Sequence, residues 1–440
     1  MASPNLPPAD TAMPLFLVLI ACLLSIAAQA QALEPATAPL QRSYTVTDAL
    51  EVNVSVYPSN GDVVLLWVAP SYGLRAGQQR MAGLLAAHGI EVWQFDLADA
   101  LFLPRGSTSM RQIDGKYVAD LIEYAHAETG KRVLLISSSY GAIPLLRGAR
   151  TWQLRQPARP YLIGAVLFSP NLYSTIPPLG LEPEYEPIVD ATNLPLFILQ
   201  GSDNANRWQL PRLLERLDAA GSPVFVSIMP DIVGLFFDAE LPPQVEAYFQ
   251  TVPRRLLGAL PLLASQPTPR QAVATELPDV ARGRGLDAGL RPYQGEPTPP
   301  PIILNDVFGK PHALGDYHDR VTVVNFWATW CPPCVEEIPS LNRLRSALAD
   351  VPFELVSVNY AEDPQTVLAF MDRVHVDFPV LSDVNGLESA RWKVIVFPST
   401  FVVGPDATIR YGVNAAIEWD SPEVIEALRR LATDGAAGGR

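Results

Sequence analysis

The sequence predicts two α/β domains in series, the first built on a mostly parallel sheet with helices on both faces. Three observations carry this. A chain of 440 residues is long for one domain and comfortable for two. Short apolar strand runs alternate with amphipathic helical stretches on both sides of a break. The break, residues 264–299, is rich in Pro, Gly, Arg and Ala and poor in periodic apolar residues, as a semi-extended linker is.

In the first domain, residues 33–263, the run 62–69 (DVVLLWVA) is a buried strand. A helical pattern follows over 78–88, then a strand over 91–96 and an amphipathic helix over 117–128. Further strands are expected at 132–137, 162–168, 196–199 and 224–229. In the second domain, residues 300–440, strands are expected at 302–308 and 321–326 (VTVVNF). A helix then follows whose Ile338, Leu341, Leu344 and Leu348 share one face. A strand at 354–358, a helix at 363–374, a hairpin around Gly404-Pro405-Asp406 and a closing helix at 422–431 complete it.

Nearly half of the residues are apolar, so each domain can bury a core, and the formal charge is −14. A surface that acidic repels phosphate backbones, which argues against a nucleic-acid partner. Met13 to Ala28 is an almost unbroken apolar run. Ala28-Gln29-Ala30 and Ala30-Gln31-Ala32 after it are small-x-small cleavage patterns, so residues 1–32 read as a secretory signal peptide. The stretch before the run departs from that pattern, having no Lys or Arg and carrying Asp10. An uncleaved anchor and lipidation at Cys22, in Leu19-Ile20-Ala21-Cys22, are the alternatives.

The chain has three cysteines, and signal cleavage would leave only Cys331 and Cys334, in Trp-Cys-Pro-Pro-Cys. Such a pair can bind zinc, staple a loop or exchange disulfides. Structural zinc needs four ligands, and the domain adds only His312, His318 and His375 at no recognised spacing, so no metal is expected. A disulfide across two residues constrains little. Exchange is the preferred reading, and no cofactor is called for. Cys331 follows a buried strand and stands where a helix begins, and free N–H groups and the helix dipole there favour the thiolate nucleophile. Cys334, one turn on, can resolve the mixed disulfide. Pro332 and Pro333 suit the first helical turn and bring no N–H to the Cys331 sulfur. The thiolate is then less stabilised than in a strong oxidant, which points to a reductant.

The run Val324-Asn325-Phe326-Trp327-Ala328-Thr329-Trp330-Cys331-Pro332-Pro333-Cys334 resembles the signature of exported thioredoxins of the TlpA/ResA type, from about Pro300 to the last helix. The resemblance implies a thioredoxin fold and a protein-disulfide reductase of the periplasm or cell envelope. Its substrates would be disulfide-bearing proteins, apocytochrome c among them, and a membrane thiol–disulfide electron donor would re-reduce it. Asn325 stands where cytosolic thioredoxin has a buried Asp. Glu337 matches a glutamate that tunes the thiols and helps proton transfer, although a solvated carboxylate in the first helical turns is its plain alternative. Phe397-Pro398-Ser399-Thr400 matches the cis-proline loop, so Trp330, Pro332, Pro333, Phe397 and Pro398 would shape the substrate groove. Phe397 is bulkier than is common there. Asp383, and Trp419-Asp420-Ser421-Pro422 before the last helix, match as well.

In the first domain, Arg132 to Gly141 is a strand running into Ser137-Ser138-Ser139-Tyr140-Gly141, which resembles the nucleophile elbow of α/β-hydrolases with Ser137 in place of the first Gly. Ser139 would be the nucleophile and Asp203, after a later strand, the acid. No His follows the last strand, and His88 and His126 are misplaced. Ser139 then lacks a general base, so a hydrolase-shaped domain without a complete triad is expected. A serine hydrolase with an ancillary redox module is the competing reading. A binding protein with an ancillary redox domain is a third.

Overall fold

The computed structural model describes residues 38–155, 160–233, 236–238, 240–266, 272–273 and 289–437. The expected signal segment, with Cys22, and most of the expected linker lie outside these residues. No described helix is long and apolar enough to cross a membrane.

The first sheet has eight strands: β1 (Leu40–Val46), β2 (Leu50–Tyr57), β3 (Val63–Val68), β4 (Ile90–Phe95), β5 (Arg132–Ser138), β6 (Leu162–Phe168), β7 (Leu196–Gly201) and β8 (Val224–Met229). Their order is β1-β2-β4-β3-β5-β6-β7-β8. β1, β2 and β4 pair antiparallel, and every other neighbouring pair is parallel. Successive residues of β3 face opposite sides, so the all-apolar VVLLWV feeds two cores at once. Val64, Leu66 and Val68 join a core with Val118, Leu121 and Ile122 of the helix Lys116–Thr129 and Leu145 of the helix Ala142–Arg155. Val63, Leu65 and Trp67 join the opposite core, with Leu85 of Ala76–Ala87 and Phe249 of Pro243–Ser265.

The second sheet orders β14-β13-β12-β15-β16-β9: Val380–Asp383, Phe353–Tyr360, Val321–Trp327, Ser399–Val403, Ile409–Val413 and Arg291–Pro292. β12, β13 and β14 run parallel, and β15, β16 and β9 continue antiparallel. A short separate hairpin, β10 (Ile303–Asn305) with β11 (Pro311–Ala313), lies between β9 and β12 in the chain. β12 alternates like β3. Val324 and Phe326 face one core, while Val321, Val323 and Trp327 face another, shared with Ile338, Leu341, Leu344 and Leu348 of the helix Pro332–Ala347 and its end. Asn325 therefore lies on the face that this helix covers.

Three features differ from the sequence expectation. β1 and β2 precede the first expected strand. The helix Pro243–Ser265 contains Pro253 and Pro261 and runs past residue 263. Arg291–Pro292, read as linker, is a strand of the second sheet.

The two sheets meet along a boundary where each side seats a residue on the other. Leu179, from the segment after β6, packs on the core of the second sheet. Ile395, from the segment before β15, packs on a core of the first. Asn414 Nδ2 donates to Pro177 O at 2.7 Å, and Arg207 donates to the Asn385 carbonyl.

Candidate functional site: a dithiol at a helix N-terminus

β12 is buried along its whole length and delivers the chain to Cys331, which is the N-cap of the helix Pro332–Ala347. Pro332 and Pro333 fill the first turn and are exposed. Cys331 and Cys334 form a disulfide. Both are buried, at 5% and 1% exposure, with Cys331 the more accessible of the two. The Cys334 and Val335 N–H groups donate to Cys331 O at 3.0 and 3.2 Å. With two prolines before them, the first turn directs no backbone N–H at the Cys331 sulfur among the hydrogen bonds described.

Glu337 sits one turn beyond Cys334 and is 3% exposed. Asn325 Nδ2 donates to its Oε1 at 2.8 Å, and Trp419 Nε1 donates to its Oε2 at 3.0 Å. Burial disfavours its charged form and pushes its pKa from 4.5 up to about 7, against the lowering effect of those donors. Asn325 Nδ2 also donates to Thr400 Oγ1 at 2.9 Å, so β12 ties this carboxyl to the start of β15. Neighbouring Glu336 is exposed.

The Phe397–Pro398 bond is cis, and Pro398 is buried. The Phe397 ring meets Trp330 edge-on at 5.7 Å and Tyr360 at 4.9 Å. Trp330, Phe397 and the cysteines are thus held on one side of the fold. Burial raises the Tyr360 hydroxyl well above its usual range. Glu362 accepts from the Thr329 N–H at 2.8 Å and from its hydroxyl, and from Asn359 Nδ2 at 2.7 Å. That carboxylate anchors the turn just before Cys331.

Tyr360, Glu362, the acceptor role of Thr400 and the donor role of Trp419 are absent from the sequence reading. Trp419 carried one signal, its place before the last helix. Glu362 lies 33 residues from Thr329, Tyr360 37 from Phe397 and Thr400 75 from Asn325, and strand pairing brings them together.

In the first domain Ser139 has φ +53, a strained turn between β5 and the next helix. It lines a cavity of about 150 Å³ with Tyr72, Ser138, Phe168, Asn171 and Phe236. Asn171 Nδ2 donates to Ser139 Oγ at 3.1 Å, and Asn206 Nδ2 donates to Asn171 Oδ1 at 2.9 Å. An amide therefore occupies the place a base would need. Asp203 does not line this cavity. Its carboxylate meets Ser202 Oγ at 3.1 Å and Arg207 Nη1 at 3.4 Å, so Ser139 and Asp203 are not brought together as a pair. His88 and His126 are engaged elsewhere, at Leu84 O and Lys131 O.

A mixed α/β sheet presenting a redox-capable dithiol at a helix N-terminus defines the class of site. The AhpC/TSA family model matches residues 296–412. The chain is 31% identical over 113 residues to the thiol-disulfide oxidoreductase ResA of Geobacillus kaustophilus, covering 26% of this chain and 65% of that one. It is 32% identical over 110 residues to ResA of Bacillus subtilis, covering 25% and 62%. It is also 32% identical over 114 residues to the thioredoxin-like protein YneN of Bacillus subtilis, covering 25% and 66%. The chain thus spans less than two thirds of the length of these relatives. A solved structure of a putative thiol:disulfide interchange protein DsbE from Chlorobium tepidum is 23% identical, with a TM-score of 0.28, covering 34% of this chain and 99% of that one.

Proposed function

We propose that this chain is a protein-disulfide reductase of the cell envelope, acting through Cys331 and Cys334. The observation that carries the reading is the Cys331–Cys334 pair at a helix N-terminus with the buried Glu337 one turn away. The names of the relatives that match the C-terminal region support it.

In the reduced state the Cys331 thiolate attacks a substrate disulfide, forming one S–S bond and releasing one substrate thiolate. Cys334, deprotonated, then attacks the Cys331 sulfur. The second substrate thiolate leaves, and the enzyme keeps its two sulfurs as the oxidised pair. Glu337, with a pKa near neutrality, is suited to take the Cys334 proton and return it on re-reduction. Trp330, Pro332, Pro333, Phe397 and Pro398 border the groove that receives the substrate strand.

The substrates we propose are disulfide-bearing proteins, apocytochrome c or other envelope proteins, and the electron donor a membrane thiol–disulfide carrier. Export by the segment 1–32 fits this, with Cys22 lipidation or an uncleaved anchor as variants. We divide the chain into a hydrolase-shaped domain near 33–263 without triad chemistry, a linker within 264–299, and a thioredoxin-like domain near 300–440 that also recruits Arg291–Pro292. Ser139 and Asp203 are vestigial in this reading, because Ser139 is met by Asn171 and not by a base.

Trapping tests the proposal. Cys334→Ser should hold substrates as mixed disulfides on Cys331, and Cys331→Ser should abolish insulin reduction. Undiminished reduction by Cys331→Ser would refute the assignment.

A further inference from the structure

Resting on the reductase reading above, we infer that the amino-terminal domain grips the cis-proline loop from both flanks and so fixes the shape of the substrate groove, with Asn414 as the positioning residue that crosses the boundary.

The first flank is a hydrogen-bonded chain. Ser399 directly follows the cis-proline and is 1% exposed, so its hydroxyl must find partners inside the protein. It lies 2.7 Å from Asn414 Oδ1 and 2.7 Å from Val396 O. The other end of the same amide, Asn414 Nδ2, donates to Pro177 O of the first domain at 2.7 Å. One side chain thus links the loop to a carbonyl of the first domain, 237 residues from Asn414 in sequence. The planar amide sets Oδ1 and Nδ2 apart in a fixed geometry, so moving Pro177 moves the acceptor that Ser399 uses.

The second flank is packing. Ile395, two residues before Phe397, rests on a core of the first domain. Tyr360, whose ring lies 4.9 Å from that of Phe397, feels the charges of Arg207 and Asp203 from the first domain. Arg207 is itself fastened to the Asn385 carbonyl. Lys393 and Glu182 add an exposed ion pair at 3.3 Å. Lys393 and Ile395 lie in the stretch leading to the cis-proline, and Tyr360 packs directly against Phe397.

On each side of the boundary a glycine lies directly under a side chain of the other part. Gly180 has φ +70, and a Cβ there would stand 1.9 Å from the Tyr293 hydroxyl. A Cβ on Gly412 would stand 2.2 Å from Leu179 Cδ2. Two domains joined only by a tether need no such absences on both sides. The hydrolase-shaped domain thereby acquires a role that needs no catalytic histidine. It is the fixed wall against which the loop before Pro398 is set. A disulfide carried on an extended peptide must use that loop, whereas a small aromatic disulfide needs only the sulfur.

The test uses the full chain and two substrates, insulin and 5,5′-dithiobis(2-nitrobenzoate). Asn414→Ala should raise KM for insulin about fivefold relative to KM for the small disulfide, the factor expected for one hydrogen bond, with kcat for insulin near that of the wild type. Asn414→Asp is nearly isosteric and keeps the acceptor for Ser399, but it loses the donor to Pro177. It should show the same KM split, and it carries the test if Asn414→Ala does not fold. A wild-type KM ratio in Asn414→Asp would overturn the cross-boundary role, with the reductase reading left standing. A wild-type chain that reduces neither substrate would overturn the reductase reading and the inference with it.

Discussion

Glu337→Gln isolates the buried carboxyl beside the cysteines. In the folded chain the Glu337 pKa is near 7, against an ordinary 4.5. The folded state thus holds a proton between these values that the unfolded chain has lost. The stability this proton contributes is fully present below pH 4.5 and is lost as pH rises through about 7. At 1.36 kcal/mol per pH unit, the gap corresponds to about 3 kcal/mol. Glutamine carries no proton to lose, and its carbonyl oxygen can still accept from Trp419 or Asn325. Denaturant unfolding of the oxidised protein, followed by tryptophan fluorescence at pH 4.5, 6 and 8, reads the difference. The variant should gain on the wild type progressively and lead by up to about 3 kcal/mol at pH 8. Its rate of disulfide reduction should also lose the ionisation step near pH 7. Parallel stability curves across this range would refute the assignment of a buried, proton-holding carboxyl.

Trp419→Phe removes one donor that favours the Glu337 carboxylate, so the step near pH 7 in the reduction rate should move upward; an unchanged step would mean the indole does not tune it. Asn325→Ala removes the donor to Glu337 Oε1 and to Thr400 Oγ1 in the core, leaving Glu337 only its other donors such as Trp419, and should cost about 1–3 kcal/mol in denaturant unfolding. Alkylation of reduced Cys331 against pH should give a pKa well above 4, because the first turn brings no N–H from Pro332 or Pro333; a value near 4 would indicate an oxidant. A fluorophosphonate probe should leave Ser139 unlabelled, since its neighbour is the Asn171 amide, and labelling lost in Ser139→Ala would revive the hydrolase reading.

What the sequence disclosed was local. Cys331, Pro332, Pro333, Cys334 and Glu337 lie within seven residues, and helix geometry alone stacks them at one helix end. The all-apolar run of β3 and the apolar-rich runs of β5 and β12 announced buried strands by composition. β1 and β2 carry their apolar residues one in two, on half-exposed strands, and this weaker alternation passed unread. The helix Pro243–Ser265 was hidden by Pro253 and Pro261, which read as breakers but are tolerated here within a helix whose Val252 and Leu256 are core residues. Glu362 and Tyr360 had no signal at all, and Thr400 only its place in the cis-proline loop, because their partners arrive from other strands. Asp203 followed the expected strand as anticipated, yet it turns to Arg207 because that arginine is one helical turn away in sequence. Loop direction, which no spacing encodes, decided its fate.

Leu179 and Ile395 each sit on the other domain's core, and this couples the melting of the two halves. Opening either sheet strips a neighbour of an apolar side chain it had buried, so neither half can come apart without lowering the free energy of unfolding of the other. Heating should therefore produce one merged calorimetric transition, not two separate ones. A redox fragment cut free near residue 290 would melt earlier than it does within the whole chain. The dithiol domain, small by itself, borrows part of its cooperativity from the first domain.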